Sequence, residues 1–320
     1  MYWASSCGGC EIALVNINEK ILEVIDKFDF MFCPCLLDTK KKDIKALPDK
    51  SIEITLFNGA VRTEENAEMA NLLRKKSKIL IAFGSCSNDG CIPGLSNLYS
   101  AKDHFDTIYL NNPTVSNPGG IVPQRETEMP EGTLHLPEFY DTVKTLSQVV
   151  DVDYFMPGCP PESNQIWDVI NSVIEGVKLP PKGSVIGAGT STVCDECEKI
   201  KEDKKIDRFY RTYEIIPDVK KCLLEQGIIC MGIATRAGCG SLCPKVNMPC
   251  SGCYGAPDGV LDQGAKMIAA LGSILNLEGD LTEEEITGHT NKIIDSIPDY
   301  AGTFYKFSLA GSILKNSVRK

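Results

Sequence analysis

The chain has 320 residues, 43% of them hydrophobic, and a formal net charge of -10. This length and composition predict a globular protein of about two domains, and the negative charge argues against a nucleic-acid partner, because phosphate backbones are bound by basic surfaces. No apolar run of about 18 residues occurs, and no basic segment with a following apolar stretch begins the chain, so we expect a cytoplasmic protein without a membrane span.

The first half of the sequence alternates between strand-like and helix-like segments. Apolar runs predict strands at residues 1–4, 28–37, 52–57, 79–83 and 152–156. Helical periodicity predicts helices between them, at residues 12–25, 64–76 and 138–149. Strands that alternate with helices predict a parallel sheet covered on both faces, so we expect an α/β fold.

Residues 111–137 show no clear periodicity and contain five prolines. We predict a long ordered loop there, which either faces a partner or is a plain surface excursion. After residue 180 the composition changes to glycine, cysteine and charge, so we place a domain boundary there and expect domains at residues 1–180 and 181–320. The second domain has little apolar surface, so metal-ligand bonds are expected to supply much of its folding free energy.

The last part of the sequence carries a helix-start signal. Thr282 and Glu285 have the spacing of a capping box, and Ile286, Ile293 and Ile294 follow at helical intervals. We therefore predict a packing helix from Thr282 onward.

The sequence contains 15 cysteines, and most of them can be sorted into three sets of four. Four dispersed cysteines, which we call the N-terminal set, are Cys7, Cys10, Cys86 and Cys159. Eight more lie close together, and they are Cys194, Cys197, Cys222, Cys230, Cys239, Cys243, Cys250 and Cys253. Without an export signal the compartment is reducing, which favours metal ligation over disulfides. Soft thiolates in fours suit iron–sulfur clusters or tetrahedral zinc.

The N-terminal set follows the predicted strands. Cys7, Cys86 and Cys159 each lie just beyond the carboxyl end of a predicted strand. Open α/β sheets bind ligands in the crevice outside those ends. Three positions that are distant in sequence are therefore predicted to converge on one site.

Three cysteines and one glutamate stay outside these sets. Cys33 and Cys35 are expected to be small buried side chains without a ligand role. Cys91 is expected to be the same, although by chain position it competes with Cys86 as a ligand. Glu11 is either an exposed carboxylate at a helix start or a proton-passing group at a subunit interface.

Four ordered motifs resemble the small subunit of nickel–iron (NiFe) hydrogenases. They are CGGCE at residues 7–11, GSC at residues 84–86, PGCPP at residues 157–161, and the block of eight cysteines between residues 194 and 253. The resemblance implies a flavodoxin-like parallel sheet domain followed by a cysteine-rich iron–sulfur cluster domain with little regular structure. It also implies a partner large subunit that holds nickel and iron.

The resemblance further assigns the cysteines to three clusters, with no catalytic residue in this chain. The N-terminal set would bind the proximal cluster. The distal cluster would be bound by what we call the 194–230 set, which is Cys194, Cys197, Cys222 and Cys230. The medial cluster would be bound by what we call the 239–253 set, which is Cys239, Cys243, Cys250 and Cys253.

Two positions differ from the exported members of that family. Cys194 stands where they have a histidine as the first distal ligand, and Cys243 stands where many have a proline at the medial site. Both differences imply that all three clusters are of the four-iron, four-sulfur (4Fe-4S) type.

The longer sequence segments around these motifs are most similar to methanogen hydrogenases that reduce viologen dyes rather than the deazaflavin coenzyme. They include MYWASSCGGCEIA at residues 1–13, RAGCG at 236–240, MPCSGCYG at 248–255 and DQGAKM at 262–267. In those enzymes a small iron–sulfur delta subunit passes electrons to an electron-bifurcating heterodisulfide reductase complex, which would place this chain in methanogenesis.

Three alternatives remain open. One is the small subunit of another cytoplasmic hydrogenase group, linked to deazaflavin or NAD(P). A zinc-stabilised interaction module also uses sites of four cysteines, but ligands dispersed over strand ends fit it poorly. An electron-input subunit of the complex I type would share the proximal motif and lack the C-terminal block of eight cysteines.

Overall fold

The computed structural model describes residues 1–277, 282–297 and 299–314. The strands are β1 (Tyr2–Trp3), β2 (Ile52–Asn58), β3 (Val61–Thr63), β4 (Ser77–Phe83), β5 (Glu126–Met129), β6 (Gly132–His135), β7 (Phe139–Lys144) and β8 (Tyr154–Met156). The α-helices of the first half are α1 (Gly9–Val15), α2 (Ile21–Lys27), α3 (Lys41–Ala46), α4 (Glu64–Lys76), α5 (Ser85–Asp89), α6 (Cys91–Gly94), α7 (Ala101–Phe105) and α8 (Ser163–Ile174). Those of the second half are α9 (Val193–Glu196), α10 (Leu242–Lys245), α11 (Gln263–Ile274), α12 (Glu283–Asp295) and α13 (Tyr300–Phe304).

A four-stranded parallel sheet in the order β1-β2-β4-β8 forms the centre of the first half. Side chains of β4 alternate between its faces: Leu80 packs with α3 and α4 on one face, and Ile81 packs with α1 and α8 on the other. This arrangement confirms the predicted α/β fold with a parallel sheet covered on both faces.

The strand predicted at residues 28–37 does not form. The amino group of Met1 donates to the carbonyl of Phe32 at 2.6 Å, so this segment borders β1 without building a ladder. Pro34 has no N–H to donate, and a turn covers residues 34–36. Apart from this missing edge strand, the strand order is that of the flavodoxin-like fold.

The helix predicted at residues 138–149 is also wrong. Residues of this segment form β7, which pairs antiparallel with β3, and a short 3-10 helix at Leu146–Gln148. The buried Asn97 side chain bonds both backbone groups of Val143, accepting from its N–H at 2.7 Å and donating to its carbonyl at 3.0 Å. These tertiary contacts keep the chain extended, although its local sequence pattern favours a helix.

The predicted loop at residues 111–137 contains one regular element, the antiparallel hairpin of β5 and β6. All eight residues of the hairpin strands are exposed. The hairpin therefore projects from the sheet domain and contributes nothing to its core.

The second half has little regular structure, as predicted, and its apolar core is built around α11. The boundary that we place at residue 180 stays a prediction, and Val185 beyond it still forms a parallel bridge with Phe155 of β8. The capping box predicted from sequence is present, because Thr282 Oγ1 accepts from the Glu285 N–H at 3.3 Å at the start of α12. No helix in the described parts of the chain has the length and apolarity to cross a membrane.

The segment after α13 returns to the sheet domain. The carbonyl of Phe307 accepts from the N–H of Cys91 at 3.1 Å, and the carbonyl of Ala310 accepts from the Gln148 side chain at 2.8 Å. We call residues 305–312 the C-terminal strap. Through these hydrogen bonds the strap holds the end of the described chain against the sheet domain.

Candidate functional site

The carboxyl ends of three parallel strands carry three of the predicted site cysteines. Strand β1 ends at Trp3, β4 at Phe83 and β8 at Met156, and Cys7, Cys86 and Cys159 follow these ends within four residues. Because the strands are parallel, these cysteines lie at one edge of the sheet. These three cysteines thus follow strand ends as predicted, and their role as cluster ligands stays a prediction.

The C-x2-C pair lies at the start of α1. Gly8 caps the helix with a φ of +81°, a conformation that costs glycine little. Cys7 is exposed and its Sγ accepts from the N–H of Gly9 at 3.4 Å, whereas Cys10 is 7% exposed and packs into the core beneath the helix. The helix start thus presents one thiol at the surface and one inside.

Gly84 makes room for the buried thiol of this pair. A β-carbon at Gly84 would lie 2.4 Å from Cys10 Sγ, and the φ of Gly84 is +86°. Both the backbone conformation and the close sulfur exclude a side chain here. Gly84 therefore allows Cys10 from α1 to reach the end of β4, where Cys86 begins its own helix.

Ser85 connects the strand ends to the second half of the chain. Its Oγ accepts from the N–H of Gly158 at 3.2 Å and donates to the carbonyl of Cys253. The Ser85 hydroxyl thus connects three parts of the chain: the end of β4, the turn that carries Cys159, and the 239–253 set. Gly84 and Ser85 were not singled out from sequence, although both belong to the GSC motif.

The 194–230 set is assembled by short elements rather than by a sheet. Cys194 lies in α9, and Cys222 is placed by a bond from its N–H to the carbonyl of Ile200 at 2.8 Å. A β-carbon at Gly232 would lie 3.2 Å from Cys194 Sγ and 3.7 Å from Cys230 Sγ. After desolvation, the thiols of Cys230, Cys222 and Cys197 contribute to the raised pKa of Cys194, and the Gly232 distances place Cys194 beside Cys230.

The 239–253 set surrounds the start of α10. Cys243 is exposed on this helix, Cys239 and Cys253 are partly buried, and Cys250 is buried. Besides desolvation, Cys239 and Cys243 raise the pKa of Cys253, and Cys230 and then Cys253 raise the pKa of Cys250. Cys250 thus has neighbours in both the 239–253 set and the 194–230 set.

The three sets are connected in a fixed spatial order. Cys253 and Cys159 pack against the same small buried cluster, and Ser85 Oγ donates to the Cys253 carbonyl while it accepts from the N–H of Gly158, next to Cys159. At the other end of the 239–253 set, the N–H of Cys250 donates to Cys230 Sγ at 3.3 Å. The 239–253 set consequently lies between the N-terminal set and the 194–230 set.

Burial makes the thiols of Cys253 and Cys194 hard to ionise. Desolvation raises the pKa of Cys253 to about 12, with further increases from Cys239, Cys159 and Cys243. Desolvation also raises the pKa of Cys194 to about 12, although Lys201 opposes the shift. Because the thiolate is the metal ligand, a strongly positive group has to offset the cost of four ionised thiols in each set.

The arrangement suits a multi-iron group better than isolated thiols. Each set offers sulfur ligands, Gly84 and Gly232 leave space beside sulfur atoms, and backbone N–H groups point at Cys7 and Cys230. Iron–sulfur clusters are bound by four cysteine thiolates and tuned by such N–H donors. In the described residues, no three His, Cys, Asp or Glu side chains form a site for a single metal ion.

The residues outside the sets differ from one another. Cys33 is buried as expected, whereas Cys35 is exposed, so the prediction of a buried side chain is wrong for Cys35. Glu11 is half-buried, and both of its carboxylate oxygens accept from the Asn58 side chain at 2.8 Å. Cys91 is 1% exposed, and its Sγ donates to Cys159 Sγ at 3.5 Å.

Comparison with known families and proteins gives consistent matches. The family model for the NADH ubiquinone oxidoreductase 20 Kd subunit matches residues 7–173. The iron-sulfur subunit of the F(420)-non-reducing hydrogenase from Archaeoglobus profundus is 38% identical over 98% of this chain and 96% of that protein. The corresponding F(420)-non-reducing hydrogenase subunit from Methanothermobacter marburgensis is 35% identical over 99% of this chain and 96% of that protein.

Among solved structures, the recombinant NiFeSe hydrogenase from Desulfovibrio vulgaris Hildenborough matches with a TM-score of 0.49 and 16% identity, over 81% of this chain and 92% of that chain. The sequence matches are far closer and extend over nearly the full length of both proteins. The chain therefore belongs to the NADH ubiquinone oxidoreductase 20 Kd subunit family and, within it, to the small subunits of F(420)-non-reducing hydrogenases.

Proposed function

We propose that this chain is the electron-transfer subunit of a cytoplasmic NiFe hydrogenase and relays electrons from hydrogen oxidation through three 4Fe-4S clusters. The large subunit, a separate chain, would hold nickel and iron and carry out the hydrogen chemistry. The N-terminal set would bind the proximal cluster, the 239–253 set the medial cluster and the 194–230 set the distal cluster. Relatives that match almost the whole chain carry hydrogenase names, and one is named an iron-sulfur subunit.

The spatial order of the three sets is the observation that carries this proposal. Cys253 and Cys159 pack against the same buried cluster, and Cys250 donates its N–H to Cys230 Sγ, so neighbouring sets adjoin one another. A relay needs short steps between successive redox groups, and a line of three contiguous sets supplies them. Independent structural zinc sites would not require such contacts.

The clusters would supply one-electron redox chemistry, with potentials between roughly -700 and +450 mV according to cluster type and surroundings. The residues of this chain hold and tune them. The N–H of Gly9 donates to Cys7 and that of Cys250 donates to Cys230, and donors to ligand sulfurs stabilise the added negative charge of a reduced cluster. The buried side chain of Phe307 keeps water from Cys86.

The 194–230 set would pass electrons to the acceptor. We propose an iron–sulfur delta subunit, followed by heterodisulfide reductase, as this acceptor. A groove beside the set is lined by Cys197, Lys199, Lys220 and Lys245, and one carboxylate, that of Glu198, also lines it. None of these lysines forms an ion pair with another described residue, so the groove attracts an acidic partner.

Metal analysis of the anaerobically purified chain tests the cluster content. We expect about twelve iron atoms and about twelve acid-labile sulfides per chain, because three 4Fe-4S clusters hold four of each. Dithionite should bleach the visible absorption. Zinc at about one ion per set, with colourless protein, would contradict the proposal.

A Cys194→Ala variant of the complex with its large subunit tests the direction of the relay. We expect electron delivery to the natural acceptor to be impaired much more than hydrogen/deuterium exchange, which needs only the nickel–iron centre. The isolated chain should contain no nickel and should not reduce dyes with hydrogen. Equal loss of exchange and electron delivery would count against a relay.

A further inference from the structure

Cys91 has a backbone conformation that side chains rarely adopt. Its φ is +49°, in the left-handed region, directly after Gly90 at +88°. For a residue with a β-carbon this conformation is strained, whereas glycine adopts it freely. A strained non-glycine residue persists when the surrounding structure holds it, and such strain is concentrated at functional sites.

The C-terminal strap holds Cys91 in this conformation. The N–H of Cys91 donates to the carbonyl of Phe307 at 3.1 Å, and the Phe307 ring packs against Cys86 and Cys91. A β-carbon on the neighbouring Gly90 would lie only 2.4 Å from the β-carbon of Ala310, so the strap lies against this turn. The Cys91 side chain is 1% exposed and cannot turn to solvent.

The thiol of Cys91 points into the N-terminal set. Cys91 Sγ lies 3.5 Å from Cys159 Sγ, and Cys86 belongs to the same small buried cluster. Four cysteine thiolates bind a 4Fe-4S cluster, and the N-terminal set already supplies four, so Cys91 would have no iron to bind. Cys159 lies shortly after the end of β8, at the sheet edge that carries Cys7 and Cys86. Cys91 is instead the first residue of α6.

We propose that Cys91 keeps its proton and donates an S–H···S hydrogen bond to the Cys159 thiolate, which raises the reduction potential of the proximal cluster. The proposal rests on the proposed function, because it requires a cluster at the N-terminal set. Reduction adds negative charge to the cluster and its sulfurs, and a donor to a ligand sulfur stabilises that charge. The proton stays on Cys91 in both redox states, and no bond to iron forms at this residue.

Redox titration of the hydrogenase complex, followed by EPR, tests this role with three variants. Cys91→Gly removes the donor and suits the backbone conformation, so it should fold, keep the full iron content and move the potential of one cluster to a more negative value. Cys91→Ser keeps a hydroxyl donor and should stay closer to the wild type. Cys33→Ala removes a buried thiol of the same half that is outside the sets, and should change no potential.

Two results would overturn the proposal. If Cys91→Gly loses iron while Cys159→Ala retains it, Cys91 is the ligand and Cys159 its neighbour. If Cys91→Gly keeps every cluster and every potential, the thiol does not tune the site. Wild-type protein without iron at the N-terminal set would instead contradict the proposed function itself, and metal analysis detects this before any titration.

Discussion

Asp153 joins three parts of the first half immediately before β8. Its carboxylate forms ion pairs with Arg74 of α4 and with Lys182, each at 2.5 Å, and accepts from the N–H of Leu80 in β4 at 2.8 Å. The Asp153 side chain is only 5% exposed. This residue therefore anchors the helix, the sheet and the following loop, shortly before Cys159 in sequence.

We expect Asp153→Asn to lower the free energy of unfolding by about 2 kcal/mol at pH 7. Burial alone would raise the pKa of this carboxyl, but hydrogen bonds from Lys182 and Arg74 outweigh it and hold the pKa at about 2. A lowered pKa stabilises the fold above the ordinary value of 3.8, and the gain is lost as the pH falls toward 2.

Urea unfolding at several pH values measures this effect. The difference between Asp153→Asn and wild type should be largest near neutral pH and should shrink below about pH 4. Asp151→Asn, an exposed neighbour, serves as the control and should behave as wild type. A difference that does not depend on pH would show that the ion pairs are not its cause.

Cys243 is the most exposed thiol of the 239–253 set, so its removal should disturb the fold least. We expect Cys243→Ala to lower the iron content from about twelve to about eleven atoms per chain and to give the EPR signal of an oxidised three-iron cluster, because one corner of the medial cluster loses its ligand. Cys35→Ala removes a thiol that is also exposed and lies outside the sets. If both variants keep all their iron, the assignment of Cys243 is wrong.

The residues that could be identified from the sequence are those whose chemistry shows in their type and spacing. Thiols in C-x2-C pairs and after strand ends could be placed because the strands themselves were recognisable. The close approach of Gly84 to Cys10, the Ser85 bridge to Cys253 and the contact between Cys91 and Cys159 depend on tertiary packing. No local pattern encodes such contacts.

Among the elements, those with strong local signals were predicted correctly. Helix α4 has a signal at each end: Thr63 Oγ1 accepts from the N–H of Asn66 at 3.2 Å at its start, and three basic residues lie in its last turn. The strand predicted at residues 28–37 and the helix predicted at residues 138–149 are wrong, because neither an apolar run nor a helical period shows whether a neighbouring strand is available. Pairing with β3 decides the second case.

The C-terminal strap is the element that closes the N-terminal set. Phe307 is 8% exposed and packs against Cys86 and Cys91. We expect Phe307→Ala to reduce the free energy of unfolding by about 3 kcal/mol, since truncating a buried aromatic leaves a cavity. In protein prepared without iron, Cys86 and Cys91 should also be alkylated faster, as mass spectrometry of the labelled peptides would show.

Ile313→Ala provides the matched control for the strap. This side chain lies just beyond the strap and is 69% exposed, so its truncation should change neither stability nor alkylation. Unchanged labelling of both cysteines in Phe307→Ala would mean that the strap does not protect the site.

At the scale of the whole molecule, the groove beside the 194–230 set, which we call the acceptor groove, is lined by positive side chains although the chain as a whole is negative. The protein carries a net charge of -10, yet Lys199, Lys220 and Lys245 line the groove next to Cys197. An acidic acceptor would therefore be repelled by most of the surface and attracted here. The groove is the place where electrostatics favours electron exit.

We expect the double variant Lys220→Glu and Lys245→Glu to slow reduction of the protein acceptor about tenfold at low salt, because charge reversal removes the attraction that guides association. The loss should diminish as salt is added. Stopped-flow measurement with the complete complex would give these rates.

The rate of reduction of a small dye should not fall in the double variant, and Lys42→Glu on α3 should leave the rates with dye and with protein acceptor unchanged. A uniform loss with dye and protein acceptor would instead indicate damage to the relay.

The position of the C-terminal strap also bears on how the protein is made. The ribosome releases residues 305–312 only after all 12 candidate ligands have emerged, since Cys253 is the last of them. Until then the thiols at the strand ends remain open to a protein that delivers iron and sulfide. Docking of Phe307 afterwards covers Cys86, and Ala310 packs against Ala60 and Val143. We therefore expect biogenesis to proceed in one order, with loading of the proximal site first and docking of the later-made strap second.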